Sequence, residues 1–130
     1  MNLLVTHDDT LFSALIVEFL RFQRYAVSET KTIETTLTAL EQRKVDLAIC
    51  VLPDDPAERL SILAELRHRH PSLPLIALAA NSMSDQMQAQ IQEYTPHYLA
   101  RPFAVVSLLG AIADATGIRK TRMSFSATSG

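Results

Sequence analysis

The sequence predicts an α/β domain, a doubly wound parallel sheet of five strands with five helices packed on both faces. Three observations carry that prediction. Short apolar segments alternate along the chain with longer stretches of helical periodicity. Residues 47–52 and 75–80 are apolar without alternation, as in strands covered on both faces. Between the strands, leucines and isoleucines recur three and four residues apart, the spacing of a helix with one buried stripe. Strands alternating with helices in this way argue for right-handed crossovers and therefore for parallel pairing.

Each element has its own justification. Residues 3–6 form the first short buried strand. Leu11, Leu15 and Phe19 with Phe12, Ile16 and Leu20 then make two adjacent rows four residues apart on the first helix. Residues 25–29 alternate weakly, as an edge strand does. Ile33, Leu37 and Leu40 mark the second helix, and residues 47–52 the third strand. Pro56 opens the third helix, where Leu60, Leu63 and Leu66 face inward and Pro71 lies beyond the end. Residues 75–78 form the fourth strand. Ser82 precedes Asp85 by three, a capping-box-like start for a fourth helix carrying Met87 and Ile91 on one face. Residues 98–100 form the fifth strand. Val105, Leu108, Leu109 and Ile112 run down a fifth helix to Gly117, its expected C-terminal cap.

Composition bounds the function. A chain of 130 residues, 48% hydrophobic and 20% charged, holds one folded domain and is not a disordered segment. Its longest apolar runs are six residues, against the roughly 20 needed to span a bilayer. No secretory leader pattern opens the chain, so a cytoplasmic location is expected. The single Cys50 lies inside an apolar strand, where it reads as a small buried hydrophobe. Residues 1–116 hold nine basic and 14 acidic side chains, so no direct nucleic-acid binding and no membrane binding is expected of the body. The tail contributes Arg119, Lys120 and Arg122 with no acid, followed by small polar residues. Domain boundaries follow: residues 1–117 as the folded unit, and 118–130 as a basic, Ser-rich linker with an output module expected beyond Gly130. Glycine occurs only at 110, 117 and 130, so no Gly-rich phosphate loop supports a nucleotide-binding reading.

Ligands in folds of this class bind at the carboxyl ends of the strands, so the residues there decide the chemistry. The segments "NLLVTHDD", "DLAICVLPDD", "PLIALAA" and "YLARPF" fall at those ends. Together they resemble the receiver domain of two-component response regulators over residues 1–117. The resemblance implies a flavodoxin-like receiver fold with strand order 2-1-3-4-5. It also implies a site in which an acidic pair after the first strand binds magnesium and an aspartate ending the third strand is phosphorylated. A hydroxyl residue ending the fourth strand and a lysine ending the fifth, followed by Pro and an aromatic, hold the phosphoryl oxygens. Here His7 and Asp8 stand at the acidic pair, Val51 at the acceptor, Ala79 at the hydroxyl and Arg101 at the lysine, before Pro102 and Phe103. The separations are 44, 28 and 22 residues from His7 to Val51, Ala79 and Arg101 in turn, close to those of the family.

Four of the five positions depart from the pattern, and each departure has a consequence. Valine has no lone pair with which to attack phosphorus. One carboxylate and an imidazole are a poor shell for magnesium, which demands octahedral oxygen ligands. Ala79 has no hydroxyl, and Arg101 spreads its charge over a planar fork. The expectation is therefore a degenerate phosphorylation site with no catalytic residues, no metal and no cofactor: a non-enzymatic regulatory domain acting by dimerisation or docking on an attached transcription-regulating module. The alternative is an active phosphorelay receiver with a non-standard acceptor, or a divalent ion held by His7, Asp8, Asp9, Asp54 and Asp55. Asp54 and Asp55, between two prolines, also suit a turn and a helix start. His68 and His70 suit a helix C-terminus, and His97 shows no partner.

For the partner surface, the fifth helix carries one charge, Asp114, between residues 104 and 116. Val106, Gly110 and Ala111 are placed on its outward side, where a surface helix is usually polar. By resemblance, the fourth helix, fifth strand and fifth helix form a homodimer surface. Tyr98 is its switch aromatic, and the glutamines of the fourth helix, Gln88 and Gln92 among them, form a polar rim. With Ala79 in place of the hydroxyl, Tyr98 is expected simply to pack with its own hydroxyl at the surface.

Overall fold

The computed structural model describes residues 1–6, 11–53, 55–79, 84–100 and 105–117. The elements follow the expected alternation: β1 (Asn2–Thr6), α1 (Leu11–Phe22), β2 (Ala26–Thr30), α2 (Ile33–Gln42), β3 (Leu47–Val51), α3 (Pro56–Arg69), β4 (Leu75–Ala79), α4 (Asp85–Gln92), β5 (Tyr98–Ala100) and α5 (Val105–Thr116). One five-stranded sheet holds them in the order β2-β1-β3-β4-β5. Every pairing is parallel, with Leu3 opposite Leu47, Ile49 opposite Ile76 and Leu78 opposite Leu99.

The two-residue period of a strand divides the core in two. Leu47, Ile49 and Val51 of β3 point to one face with Leu3, Val5, Ile76 and Leu78, and are covered by Ile16, Val17 and Leu20 of α1 and by Leu108 and Ile112 of α5. Ala48 and Cys50 point to the other face with Leu75 and Ala77, under Leu63 and Leu66 of α3 and Ile91 of α4. All five residues of β3 and all five of β4 are buried, which is why these segments show no alternation in the sequence.

Helix starts are set by polar side chains. Thr32 caps α2 reciprocally with Thr35, the hydroxyl of each accepting from the backbone N–H of the other at 3.1 and 3.2 Å. Asp55 caps α3 by accepting from the Ala57 N–H at 3.0 Å, with Pro56 in the first turn as expected. Gly117 ends α5 at φ +83°, the left-handed conformation expected of it.

Three local expectations need correction. On α1 the buried stripe is Ser13, Ile16, Val17 and Leu20, while Leu11 and Leu15 stand 75% and 59% exposed. A helix under a sheet needs only one such stripe, so the first two members of the other row are left outside, while its third, Phe19, is half-buried against the core. The strand β2 begins one residue later than expected, and Tyr25 packs against the core just before it. The cap of α4 is Ser84, which accepts from the Met87 N–H at 3.2 Å. Ser82 lies outside the described residues, as does the whole tail from residue 118.

Candidate functional site at the carboxyl edge of the sheet

The parallel sheet brings the carboxyl ends of β1, β3 and β4 to one edge. β1 delivers Thr6, whose hydroxyl is hydrogen-bonded to that of Thr36 at 3.0 Å. Thr36 is fully buried on α2; its hydroxyl lies 2.6 Å from that of Thr30 and donates to the Thr32 carbonyl at 2.7 Å. This run of hydroxyls ties α2 to the ends of β1 and β2. Sequence periodicity marks Ile33, Leu37 and Leu40 instead, all of them half-buried, because a buried threonine carries no apolar signal.

β3 delivers Val51, 8% exposed and part of the core cluster beneath α1 and α5. Beyond it the Leu52 N–H donates to the Leu78 carbonyl at 2.8 Å, prolonging the pairing by one residue. β4 delivers Ala79, 1% exposed and opposite Ala100. Of the positions named from the sequence, Val51 and Ala79 thus lie at the buried apolar ends of the adjacent strands β3 and β4, Val51 opposite Leu78 and Ala79 one residue beyond it. His7, Asp8 and Arg101 lie outside the described residues, as do Pro102 and Phe103. The same holds for Asp9 and Asp54 of the alternative ion set. Asp55, the remaining member, is engaged as the cap of α3. Among the described residues, no group of three or more His, Cys, Asp or Glu side chains is placed to hold a metal ion.

Between α2 and α3, beside the end of β3, the edge opens into a cavity of about 410 Å³ lined by Thr6, Cys50 and Val51 at its base. The sequence reading did not anticipate it. Its walls come from segments 25 residues apart in the chain, and nothing in periodicity joins them. Cys50 itself is 1% exposed, and burial pushes its thiol up from 9.0 to about 12, with Arg67 opposing weakly. It is a packing residue, as expected.

Tyr98 departs from expectation. Its ring packs with the cluster under α3 and α4, and its hydroxyl is buried, with no hydrogen-bond partner among the described residues. Burial raises its pKa, and the charge of Arg59 acts against that. The strand that carries Tyr98 is held by Thr95, whose hydroxyl donates to the Leu75 carbonyl at 2.6 Å and accepts from the His97 N–H at 3.2 Å. Arg67 of α3 reaches the same region, its Nε donating to the Tyr94 carbonyl at 2.9 Å and its Nη1 to the Leu73 carbonyl at 2.8 Å. Neither anchor was legible, since an arginine near a helix end looks like any dipole partner. His70 caps that helix end, as the sequence suggested.

On α5, Val106 is 68% exposed, as expected of an outward residue. Gly110 is buried and Ala111 half-buried against the core, so these two do not stand outward. The helix is rotated so that both line a shallow groove of about 250 Å³ against Leu99 and Tyr98 of β5. On α4, Gln88 is half-buried and Gln92 exposed.

The chain matches the family model described as "Response regulator receiver domain" over residues 3–113. It is 29% identical over 114 residues to the transcriptional regulatory protein GlrR of Escherichia coli, covering 88% of this chain and 26% of that protein. It is 27% identical over 131 residues to the DNA-binding transcriptional regulator NtrC of a Bradyrhizobium species, covering 99% of this chain and 27% of that protein. The chain therefore spans about a quarter of the length of these curated relatives. Among solved structures, the signal receiver domain of an HD domain-containing protein from Pseudomonas fluorescens superposes with a TM-score of 0.76 at 20% identity. That match covers 92% of this chain and 97% of the other. The chain belongs to the response regulator receiver family.

Two predictions follow from this geometry. Val51→Asp should lower stability by about 1–3 kcal/mol, because it puts a carboxylate among Ile49, Leu78 and Leu108. Urea unfolding checks it, and an unchanged midpoint would show that Val51 is not held in an apolar environment. The Cys50 thiol, with its folded pKa raised, adds stability that is complete below pH 9.0 and lost as pH climbs toward about 12. Over that window the wild type should lose stability faster than Cys50→Ala, by up to about 1.4 kcal/mol per pH unit. Parallel pH profiles of the two would contradict this.

Proposed function

We propose that this receiver-family chain is a regulatory domain that works without phosphorylation, by self-association or docking, on an attached transcription-regulating module. The observation that carries the proposal is Val51. The family resemblance aligns it with the acceptor aspartate, and its side chain is a buried hydrocarbon with nothing to offer phosphorus. Ala79, aligned with the hydroxyl position and 1% exposed, supports the same conclusion. The buried hydroxyl of Tyr98 adds to it, since this aromatic lies inward while Ala79, at the end of the neighbouring strand, offers it no hydroxyl. The attached module is inferred from the names of GlrR and NtrC, both transcriptional regulators about four times the length of this match. The role proposed is therefore regulatory and not enzymatic, with no cofactor, no direct nucleic-acid contact by this domain and a cytoplasmic location. Among the described residues no helix is long and apolar enough to cross a membrane.

Incubation with acetyl phosphate and magnesium should leave the mass of the protein unchanged, and beryllofluoride should leave its spectrum unchanged. One hydroxylamine-sensitive phosphate per chain would instead establish an active receiver with a displaced acceptor among the aspartates that follow the first and third strands.

For assembly, the surface proposed is α4, β5 and α5, meeting its own copy about a two-fold axis. Val106 tests it best, because it is exposed and its replacement leaves the core intact. Sedimentation at high micromolar concentration should give a dimer for the wild type and a monomer for Val106→Glu, with thermal midpoints nearly equal. A monomeric wild type would overturn self-association.

A further inference from the structure

We propose that a second copy of this chain docks over α1 as well as α5, so that the interface is centred on the seam between these two helices. The inference rests on the self-association reading above and moves its centre from the β5 side of α5 to the α1 side. Among the described residues, five large apolar side chains are exposed: Met1, Leu11, Leu15, Phe22 and Val106. Three are on α1 and one is on α5, and none is on α4 or β5. The three on α1 are not scattered. At roughly 100° per residue, Leu11, Leu15 and Phe22 fall within about 40° of one another, opposite the buried stripe of Ser13, Ile16, Val17 and Leu20. Both helices cover the same cluster on one face of the sheet, so their outer sides form one surface. Half-buried Leu109 and Ala113 widen its apolar part on α5.

The area fits a second copy. Each of the four exposed side chains on α1 and α5 offers on the order of 100 Å², so two copies meeting there withdraw roughly 800 Å² of apolar surface from water. Interfaces are about 60% apolar, which makes this an interface of roughly 1,300 Å², within the roughly 1,200–2,000 Å² of specific complexes. Val106 alone supplies about a quarter of that apolar area, too little for a stable dimer. A two-fold contact uses the same patch on both sides, so no complementary surface has to come from elsewhere. Glu18 also points outward from α1, but it brings its counter-charge. Arg21 stands 3.9 Å from Glu18 and 3.0 Å from Glu29 of β2. These three make a paired polar border on the β2 side, suited to an interface rim.

Sedimentation equilibrium of the whole chain tests the seam with three substitutions. Leu15→Glu should weaken the dimer at least about hundredfold, because it buries a charge with no partner. Phe22→Ser, which removes apolar surface without adding charge, should weaken it by about tenfold. Gln92→Glu, at an exposed position on α4, should stay within about threefold of the wild type. All three residues are exposed, so circular dichroism and thermal midpoints should match those of the wild type. A dimer that survives both Leu15→Glu and Phe22→Ser would overturn the seam and leave self-association standing on the α4 and β5 side. Loss of the dimer in Gln92→Glu would do the same. A monomeric wild type would overturn both the seam and self-association.

Discussion

The rest of the structure depends on the burial of β3 on both faces. It is the middle strand of five, and every one of its residues is withdrawn from water. Leu47 and Ile49 anchor the cluster under α1 and α5, while Ala48 and Cys50 anchor the one under α3 and α4. Each large apolar side chain so buried contributes about 1.5–3 kcal/mol, and the strand contributes to both layers at once. A one-residue slip would exchange the two sets and put leucine and isoleucine where alanine and cysteine now fit. The register of β3 thus sets the thickness of both layers and the place where the carboxyl edge opens.

The two layers are finished differently. The α3/α4 layer is closed by polar clasps, with Arg67 gripping the carbonyls of Leu73 and Tyr94 and Thr95 gripping that of Leu75. These hydrogen bonds satisfy backbone groups at the turns around β4 and β5, where β5 is only three residues long and cannot hold itself by pairing alone. The α1/α5 layer has a clasp of its own at the sheet edge, Arg21 of α1 donating to the Val27 carbonyl at 3.3 Å and to Glu29 at 3.0 Å, but it carries more hydrocarbon than its core needs. Leu11, Leu15 and Phe22 remain on the outer side of α1 at 59–82% exposure. Excess apolar surface on that helix is what made its buried stripe ambiguous.

The fold was legible because its strongest signals are long-lived under any packing: unbroken apolar runs for β3 and β4, Pro56 opening α3, Gly117 closing α5. What was not legible has a physical pattern. The end of α1 carries no glycine, yet Arg24 adopts the left-handed conformation there at φ 71°, so the stop leaves no residue-type mark. The inner face of α2 centres on Thr36, a buried polar residue whose hydroxyl meets Thr6, 30 residues away, as well as Thr30 and Thr32 nearby. The rotation of α5, which turns Gly110 and Ala111 toward β5, follows from how Leu108 and Ile112 seat in the core, and a helix apolar on all sides gives no hint of it. At the carboxyl edge, the places of Val51 and Ala79 at the ends of β3 and β4 were legible by register, but the cavity was not. A cavity is a property of the space between α2 and α3 and belongs to neither sequence.

The same geometry ties the carboxyl edge to the opposite side of the layer. Ile33 and Ile62, on the cavity walls, pack against the cluster that also receives the ring of Tyr98. Tyr98 in turn lines the groove beside Gly110 and Ala111, at the surface proposed for assembly. Cavity and surface therefore share one packed body of side chains, with Cys50, Ala77 and Leu63 between them. Packed cores transmit change when an element within them has two discrete positions. Tyr98 is the element with a reason for two, since its buried hydroxyl lacks a partner among the described residues and would gain one in water. A change that widened or tightened the walls would therefore reach the ring through the side chains of this one cluster.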